Sequence, residues 1–173
     1  MSAVVLTTER LRLRPFARDD VDALQAQWTQ LDVRRYLWDG RVIARPEVVA
    51  VVEESIASFA TRGIGFWVIE ARGAAIPVGF VGLRAIPGTA DIELYYGLEP
   101  AHWGCGFATE ASRAVLRYAL EAVGVEHVYV RMDGPNLRSV EVTKRLGADW
   151  VRTEATGAFG STLVYVVRRA GVS

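Results

Sequence analysis

Trp103-Gly104-Cys105-Gly106-Phe107-Ala108-Thr109-Glu110-Ala111 is the most informative stretch of this chain. Two glycines stand between a strand pattern and a long helical pattern. Glycine permits positive φ and leaves no Cβ in the way. Successive backbone N–H groups can then turn toward a single anion. The first turn of the following helix adds its unpaired donors and the positive end of its dipole. Such a loop holds a pyrophosphate without any lysine or arginine. Gly-x-Gly alone is equally what an ordinary helix-opening turn looks like, so the surroundings must decide.

On the C-terminal side, a helix is predicted from about Phe107 to Val123, ending at Gly124. Phe107, Ala111, Ala114, Val115, Tyr118, Ala119 and Ala122 share one face, and Glu110, Arg113, Arg117 and Glu121 the other. A strand over His127 to Met132 follows. A helix then starts at Asn136 and stops at Gly147, and two strands lie between 149 and 169. On the N-terminal side, three strands are predicted at Phe66 to Ala71, Val78 to Ile86 and Asp91 to Leu98. The turns between them, at Gly73 and Pro87-Gly88, are too short for parallel crossovers, so an antiparallel meander is expected. Leu11 and Leu13 alternate with Arg10, Arg12 and Arg14 in a first strand closed by Pro15. A short helix capped by Asp19 or Asp20 runs to Trp28, and another runs from near Pro46 to Arg62. This order implies an α/β (α+β) sandwich on a mainly antiparallel sheet, not a Rossmann fold.

The chain of 173 residues suits one domain over 1–173 with one sizeable core, and 51% apolar residues fit a packed protein. No apolar run is long enough to span a bilayer, and Val4-Val5-Leu6 is too short for a signal core, so a cytoplasmic protein is expected. The formal net charge is zero, which gives no drive toward nucleic acid or anionic lipid. Lys144 is the only lysine among 20 basic residues, an excess of arginine that codon bias explains and that phosphate binding explains for a minority. Cys105 is the single cysteine, so no internal disulfide or cysteine-based metal cluster is available, and His102 and His127 are too isolated for a metal site.

The run Glu99-Pro100-Ala101-His102 leading into the quoted loop resembles the coenzyme A loop of the GNAT family of N-acetyltransferases, most closely its ribosomal-protein-alanine acetyltransferase branch. Leu6-Thr7-Thr8-Glu9-Arg10-Leu11-Arg12-Leu13-Arg14-Pro15 resembles that branch's first strand. Glu93-Leu94-Tyr95-Tyr96-Gly97-Leu98 resembles its fourth strand, and Asn136-Leu137-Arg138-Ser139 with Arg145-Leu146-Gly147-Ala148 its last helix. The resemblance implies a GNAT fold: a mixed, mainly antiparallel sheet of about seven strands, splayed in the middle and flanked by four helices. It implies acetyl-CoA as co-substrate, held by the backbone of Gly104, Cys105, Gly106, Phe107, Ala108 and Thr109, with Trp103 at the loop's opening position. The backbone of Tyr96 and Leu98 would pair with the pantetheine arm, and Asn136 would touch it while capping its helix. The acceptor would be a primary amine, on a small molecule or a peptide, and a homodimer follows by analogy.

Acetylating an amine asks little of side chains, because the thioester is already reactive. The protein must orient two reactants, deliver a neutral amine and stabilise developing oxyanion charge, for which a backbone N–H near Tyr95 or Tyr96 is the candidate. Glu93, inside an otherwise apolar strand, is the candidate base, acting directly or through water; it could equally be a solvated strand carboxylate. The resembled branch tends to have serine at the position of Ser139, which makes Ser139 the candidate acid toward the thiolate, or else it is an ordinary serine in a helix's first turn. Many family members use a tyrosine where this chain has Thr143. The resemblance places Trp28, Tyr36, Trp38, Trp67 and Tyr95 in the region of the acceptor pocket and so makes them candidate acceptor contacts, with core packing as their plain alternative. Two other readings remain. In a dinucleotide oxidoreductase Glu126 would bind ribose, but Thr109 replaces the third glycine and Glu126 precedes its strand. A non-catalytic acyl-CoA-binding module would keep the loop and leave the acid and base incidental.

Overall fold

The computed structural model describes residues 4–73 and 77–169. Eight strands form one sheet: β1 (Leu6–Thr7), β2 (Leu11–Pro15), β3 (Phe66–Ala71), β4 (Pro77–Ala85), β5 (Ile92–Leu98), β6 (His127–Asp133), β7 (Asp149–Glu154) and β8 (Thr162–Arg168). Their spatial order is β1-β2-β3-β4-β5-β6-β8-β7. Every pairing is antiparallel except β5 with β6. The meander over β3, β4 and β5 is as expected, and the two-residue β1 raises the strand count above seven. The turn predicted around Gly73 extends into residues 74–76, which lie outside the described ones.

Five α-helices are present among the described residues: α1 (Val21–Trp28), α2 (Leu31–Leu37), α3 (Arg45–Arg62), α4 (Phe107–Arg117) and α5 (Leu137–Arg145). Four were expected. The addition, α2, has two turns and a single buried residue, Val33, so it carries no readable apolar period. The expected aspartate cap on α1 is also corrected. Residues 18–20 form a tight 3₁₀ turn, and α1 has no side-chain cap. The Asp20 carboxylate instead accepts the Ala17 N–H at 2.7 Å and a two-pronged Arg14 contact at 2.7 and 2.8 Å. The helix predicted to Val123 does reach it, but after Arg117 it widens into π-type turns. Gly124, at φ 85°, closes it with an N–H bond to Ala119 O at 3.0 Å.

Strand alternation sorts the core into two layers. On one face, Leu11, Leu13, Trp67, Ile69, Val81, Leu83 and Leu94 pack with Ala111, Val115 and Ala119 of α4. On the other, Phe66, Val68 and Phe80 pack with Leu24 and Trp28 of α1, Val33 of α2 and Val48 and Val52 of α3. Both faces of the sheet are therefore covered. Gly82 shows how tightly: a Cβ there would lie 2.2 Å from the Phe66 ring. Where β5 and β6 meet, pairing stops after two residue pairs, Glu93 with Tyr129 and Leu94 with Val130. The two strands then part, and the gap between them is where the site lies.

Candidate active site

A cleft of about 1100 Å³ runs along that gap. Its walls are the C-terminal half of β5, the loop before α4, the end of β6, the start of α5 and part of α2. Backbone orientation along β5 follows from one bond at its end. The Glu99 N–H donates to Val78 O at 2.9 Å, one step beyond the Leu98–Gly79 pair. Antiparallel alternation then turns the backbone of Gly97, Tyr95 and Glu93 toward β4 and that of Leu94, Tyr96 and Leu98 toward β6. Beyond Leu94, β6 has diverged. The Tyr96 amide and carbonyl and the Leu98 amide therefore face the cleft with no strand to pair with. The Leu98 carbonyl accepts Trp103 Nε1 at 3.0 Å.

At one end of the cleft, Gly104 and Gly106 adopt φ 76° and 81°, a left-handed conformation that disfavours a side chain. Gly106 is the N-cap residue of α4, and the helix's first bond is Glu110 N–H to Gly106 O at 3.0 Å. Among the described residues, the amides of Gly104 through Thr109 have no hydrogen-bond partner. The Thr109 hydroxyl is buried and equally unpartnered. Buried donors are normally satisfied, so this row of N–H groups at a helix N-terminus fits a diphosphate. Cys105 is exposed, with its Sγ 3.7 Å from Trp103 O.

At the other end lies Glu93, 2% exposed. Its Oε1 accepts the Tyr95 hydroxyl at 3.0 Å and Arg84 Nη2 at 3.2 Å, while Arg131 Nη1 stands 3.6 Å from Oε2. Arg84 also lies over the Tyr95 ring, 4.4 Å from its centroid. Burial, and then the negative charge of Glu93, push the Tyr95 hydroxyl up to about 12, so it remains a donor. Glu93 and Tyr95 project to the α1–α3 side. Tyr96 projects to the other, where its hydroxyl donates to Ser139 O at 3.4 Å. Burial raises the Tyr96 hydroxyl as well, against hydrogen bonds with Ser139 and Thr143 that lower it. Asn136 caps α5 by accepting the Ser139 N–H at 3.3 Å. Thr143 is fully buried, with its hydroxyl 3.7 Å from Met132 Sδ.

A family profile described as an acetyltransferase (GNAT) domain matches residues 10–149. The chain belongs to the GNAT family. It is thus an acetyl-CoA-dependent acyltransferase by family. The uncharacterized N-acetyltransferase YoaA of Bacillus subtilis is 29% identical over 126 residues, 72% of this chain and 71% of that protein. A crystal structure of an acetyltransferase from Agrobacterium tumefaciens superposes with a TM-score of 0.84 at 25% identity, covering 97% of this chain and 96% of that one. The RimL ribosomal L7/L12 α-N-protein acetyltransferase, solved with coenzyme A, superposes at 0.80 with 17% identity, covering 95% and 98%.

Within this GNAT domain the cleft gathers Glu93, Tyr95, Tyr96, Leu98, Trp103, Gly104, Gly106, Phe107, Ala108, Thr109, Asn136 and Ser139 on its walls. Tyr36 lines it too, with its ring 5.1 Å from that of Phe159. Trp28 and Trp67 do not. Each is almost wholly buried in one of the two core layers, Trp28 against Phe80 and Trp67 against Phe59 and Tyr118. Trp38 packs on Trp28 next to the cleft-lining Leu37 and Asp39. Sequence reading missed the arginines around Glu93. Arg84 sits directly opposite Glu93 in the β4–β5 register, a pairing that the predicted meander could have exposed. Arg131 comes from β6, and nothing local points to it. The stacking of Arg138 on Trp103, 4.0 Å from the ring centroid, was equally hidden. No metal-ligand cluster occurs among the described residues, and no described helix is long and apolar enough to cross a membrane.

Proposed function

We propose that this protein transfers the acetyl group of acetyl-CoA to a primary amine by direct attack in a ternary complex, with a protein N-terminus or a small amine as acceptor. The observation that carries this is a single cleft with unpartnered helix-terminal amides at one end and a buried carboxylate at the other. The amides of residues 104–109 and the Thr109 hydroxyl receive the diphosphate. The exposed edge of β5 at Tyr96 and Leu98 receives the pantetheine arm, with Asn136 beside it. This leaves the thioester near the point where β5 and β6 part, close to Glu93.

Glu93 takes the proton from the amine, directly or through a water, using Oε2, which Arg84 and Tyr95 do not contact and which faces Arg131 Nη1 at 3.6 Å. A free α-amine has a pKa near 8 and a lysine near about 10.4, so an N-terminus needs less help. The neighbourhood of Tyr95 and Tyr96 supplies an amide to the developing oxyanion charge. Ser139 gives a proton to the departing thiolate from the α5 side. Holding both reactants in line contributes the larger share, about 7–11 kcal/mol where geometry is good. The RimL likeness supports an N-terminal amine, and Tyr36 and Tyr95 give the acceptor a flat aromatic contact. The protein works in the cytoplasm in this reading.

The test is thiol release from acetyl-CoA across a panel of peptides with free N-termini, polyamines, amino acids and aminoglycoside-like amines. Turnover on at least one is expected. One observation favours the alternative of a non-catalytic acyl-CoA-binding module: Thr143 is buried where many relatives place a tyrosine acid. Tight coenzyme A binding without turnover on any acceptor would select that alternative.

A further inference from the structure

We infer that Arg10, on the strand-entry segment before β2, is a positioning residue that holds the coenzyme A loop in its binding shape. This rests on the reading above that amides 104–109 receive the diphosphate. Arg10 stands outside the cleft, on the far side of the loop, and touches it at three points. Its Nη1 donates to Cys105 O at 2.9 Å, the carbonyl between the two left-handed glycines. Its Nε and Nη2 grip Glu110 Oε2 at 2.7 and 2.6 Å. Its guanidinium carbon lies 4.9 Å from the centroid of Phe107, the first residue of α4. The backbone N–H of Arg10 and the Thr8 hydroxyl complete the contact by donating to Glu110 Oε1 at 2.9 and 2.6 Å.

Two physical consequences follow. A trans peptide points its C=O and N–H in opposite directions. Fixing the Cys105 carbonyl on the outer side therefore turns the Gly106 N–H to the inner side, toward the anion. The second consequence is electrostatic. Glu110 places a carboxylate one turn into the helix whose N-terminus must hold a doubly charged ligand, and an unopposed charge there would repel it. Arg10 neutralises that carboxylate and keeps it on the outer side. Glycines at positive φ are otherwise free to leave this conformation, so the loop needs an external brace.

The experiment compares Arg10→Ala, Arg10→Lys and Glu110→Gln with wild type. Arg12→Ala is the control, since Arg12 pairs instead with Glu70 at 2.6 Å on an exposed part of β2. Coenzyme A affinity by calorimetry, acetyl-CoA KM and kcat, and amide hydrogen exchange of residues 104–109 without ligand are measured. For Arg10→Ala the dissociation constant and KM rise about tenfold, as expected for losing charge-assisted bonds, while kcat at saturation stays within about twofold. Exchange of the loop amides speeds up about tenfold. Arg10→Lys falls between, and Arg12→Ala matches wild type. Unchanged affinity and unchanged loop exchange in a folded Arg10→Ala protein overturn the assignment. So does a kcat loss with KM intact. If Arg10→Ala fails to fold, Arg10→Lys carries the same test. If wild type itself binds no coenzyme A, the acetyl-transfer reading fails, and loop exchange still decides the role of Arg10.

Discussion

The two ends of the cleft are built from different material. At the loop end, the surface is made of backbone: amides of Gly104 to Thr109, two left-handed glycines and a helix N-terminus. At the other end it is made of side chains drawn from three strands: Glu93 and Tyr95 on β5, Arg84 on β4 and Arg131 on β6. The first kind of site tolerates many sequences provided glycine stays where φ is positive. The second is sensitive to its partners, because the buried Glu93 charge depends on Arg84 and Arg131, which are themselves partly exposed. In the proposed reading, the loop end receives a carrier shared by a whole family, and the Glu93 end faces whatever acceptor this member uses.

Substitutions at each end sharpen that contrast. Glu93→Gln is expected to have the largest effect, lowering kcat by about a hundredfold or more if the carboxylate is the base. The loss should be greatest at low pH, where the amine is mainly protonated, and shrink as pH rises through the amine's own pKa. A ratio to wild type that is flat with pH would remove Glu93 as the base. Gly106→Val comes next. A β-branched residue at φ 81° is strained, and its Cβ would approach Arg10 Nη2 at 3.3 Å. Strain of that kind should raise the acetyl-CoA KM about thirtyfold with kcat little changed. Unaltered coenzyme affinity in a folded protein would break the loop assignment. Ser139→Ala is expected to lower kcat about tenfold at unchanged acetyl-CoA KM, and full activity would exclude Ser139 as the acid.

The same division explains what could be read from the chain. Glycine needed at positive φ leaves a mark in the sequence, so Gly104, Gly106 and the helix after them were legible. So was the meander, from its short turns and alternating apolar residues. Side-chain clusters leave no such mark. Glu93 stood out as a charge in an apolar strand, but Arg131 lies 38 positions further on (131 − 93) and joins it only through the parallel β5–β6 contact. Trp28 and Trp67 show the opposite error. Aromatic character suggests both a pocket and a core, and only the alternation of β3 and the packing of α1 place these two in the core. The short α2 escaped because two turns hold too few apolar residues to show a period, yet it supplies part of the cleft wall.

Tyr95→Phe probes the side-chain end most gently. It removes the hydroxyl that donates a charge-assisted bond to Glu93 Oε1 and accepts one from Arg84 Nη2, and it leaves the ring against Phe66 and under Arg84. Arg84 still reaches the same oxygen, so the carboxylate stays paired, and kcat should fall only about threefold. The stability effect has a defined sign. Burial first and the Glu93 charge second raise the Tyr95 hydroxyl from its ordinary 10 to about 12. Folding therefore favours its protonated form. The stability this contributes is whole below pH 10 and is lost as pH climbs through 12. Wild type should then lose stability relative to Tyr95→Phe over that window, and the two should keep a constant difference between pH 7 and pH 9, as read from urea midpoints. If their difference does not change between pH 9 and 12, the Tyr95 hydroxyl is not held against Glu93. The cluster would then be looser than its distances imply, and the Glu93 end would resemble the loop end more than it differs from it.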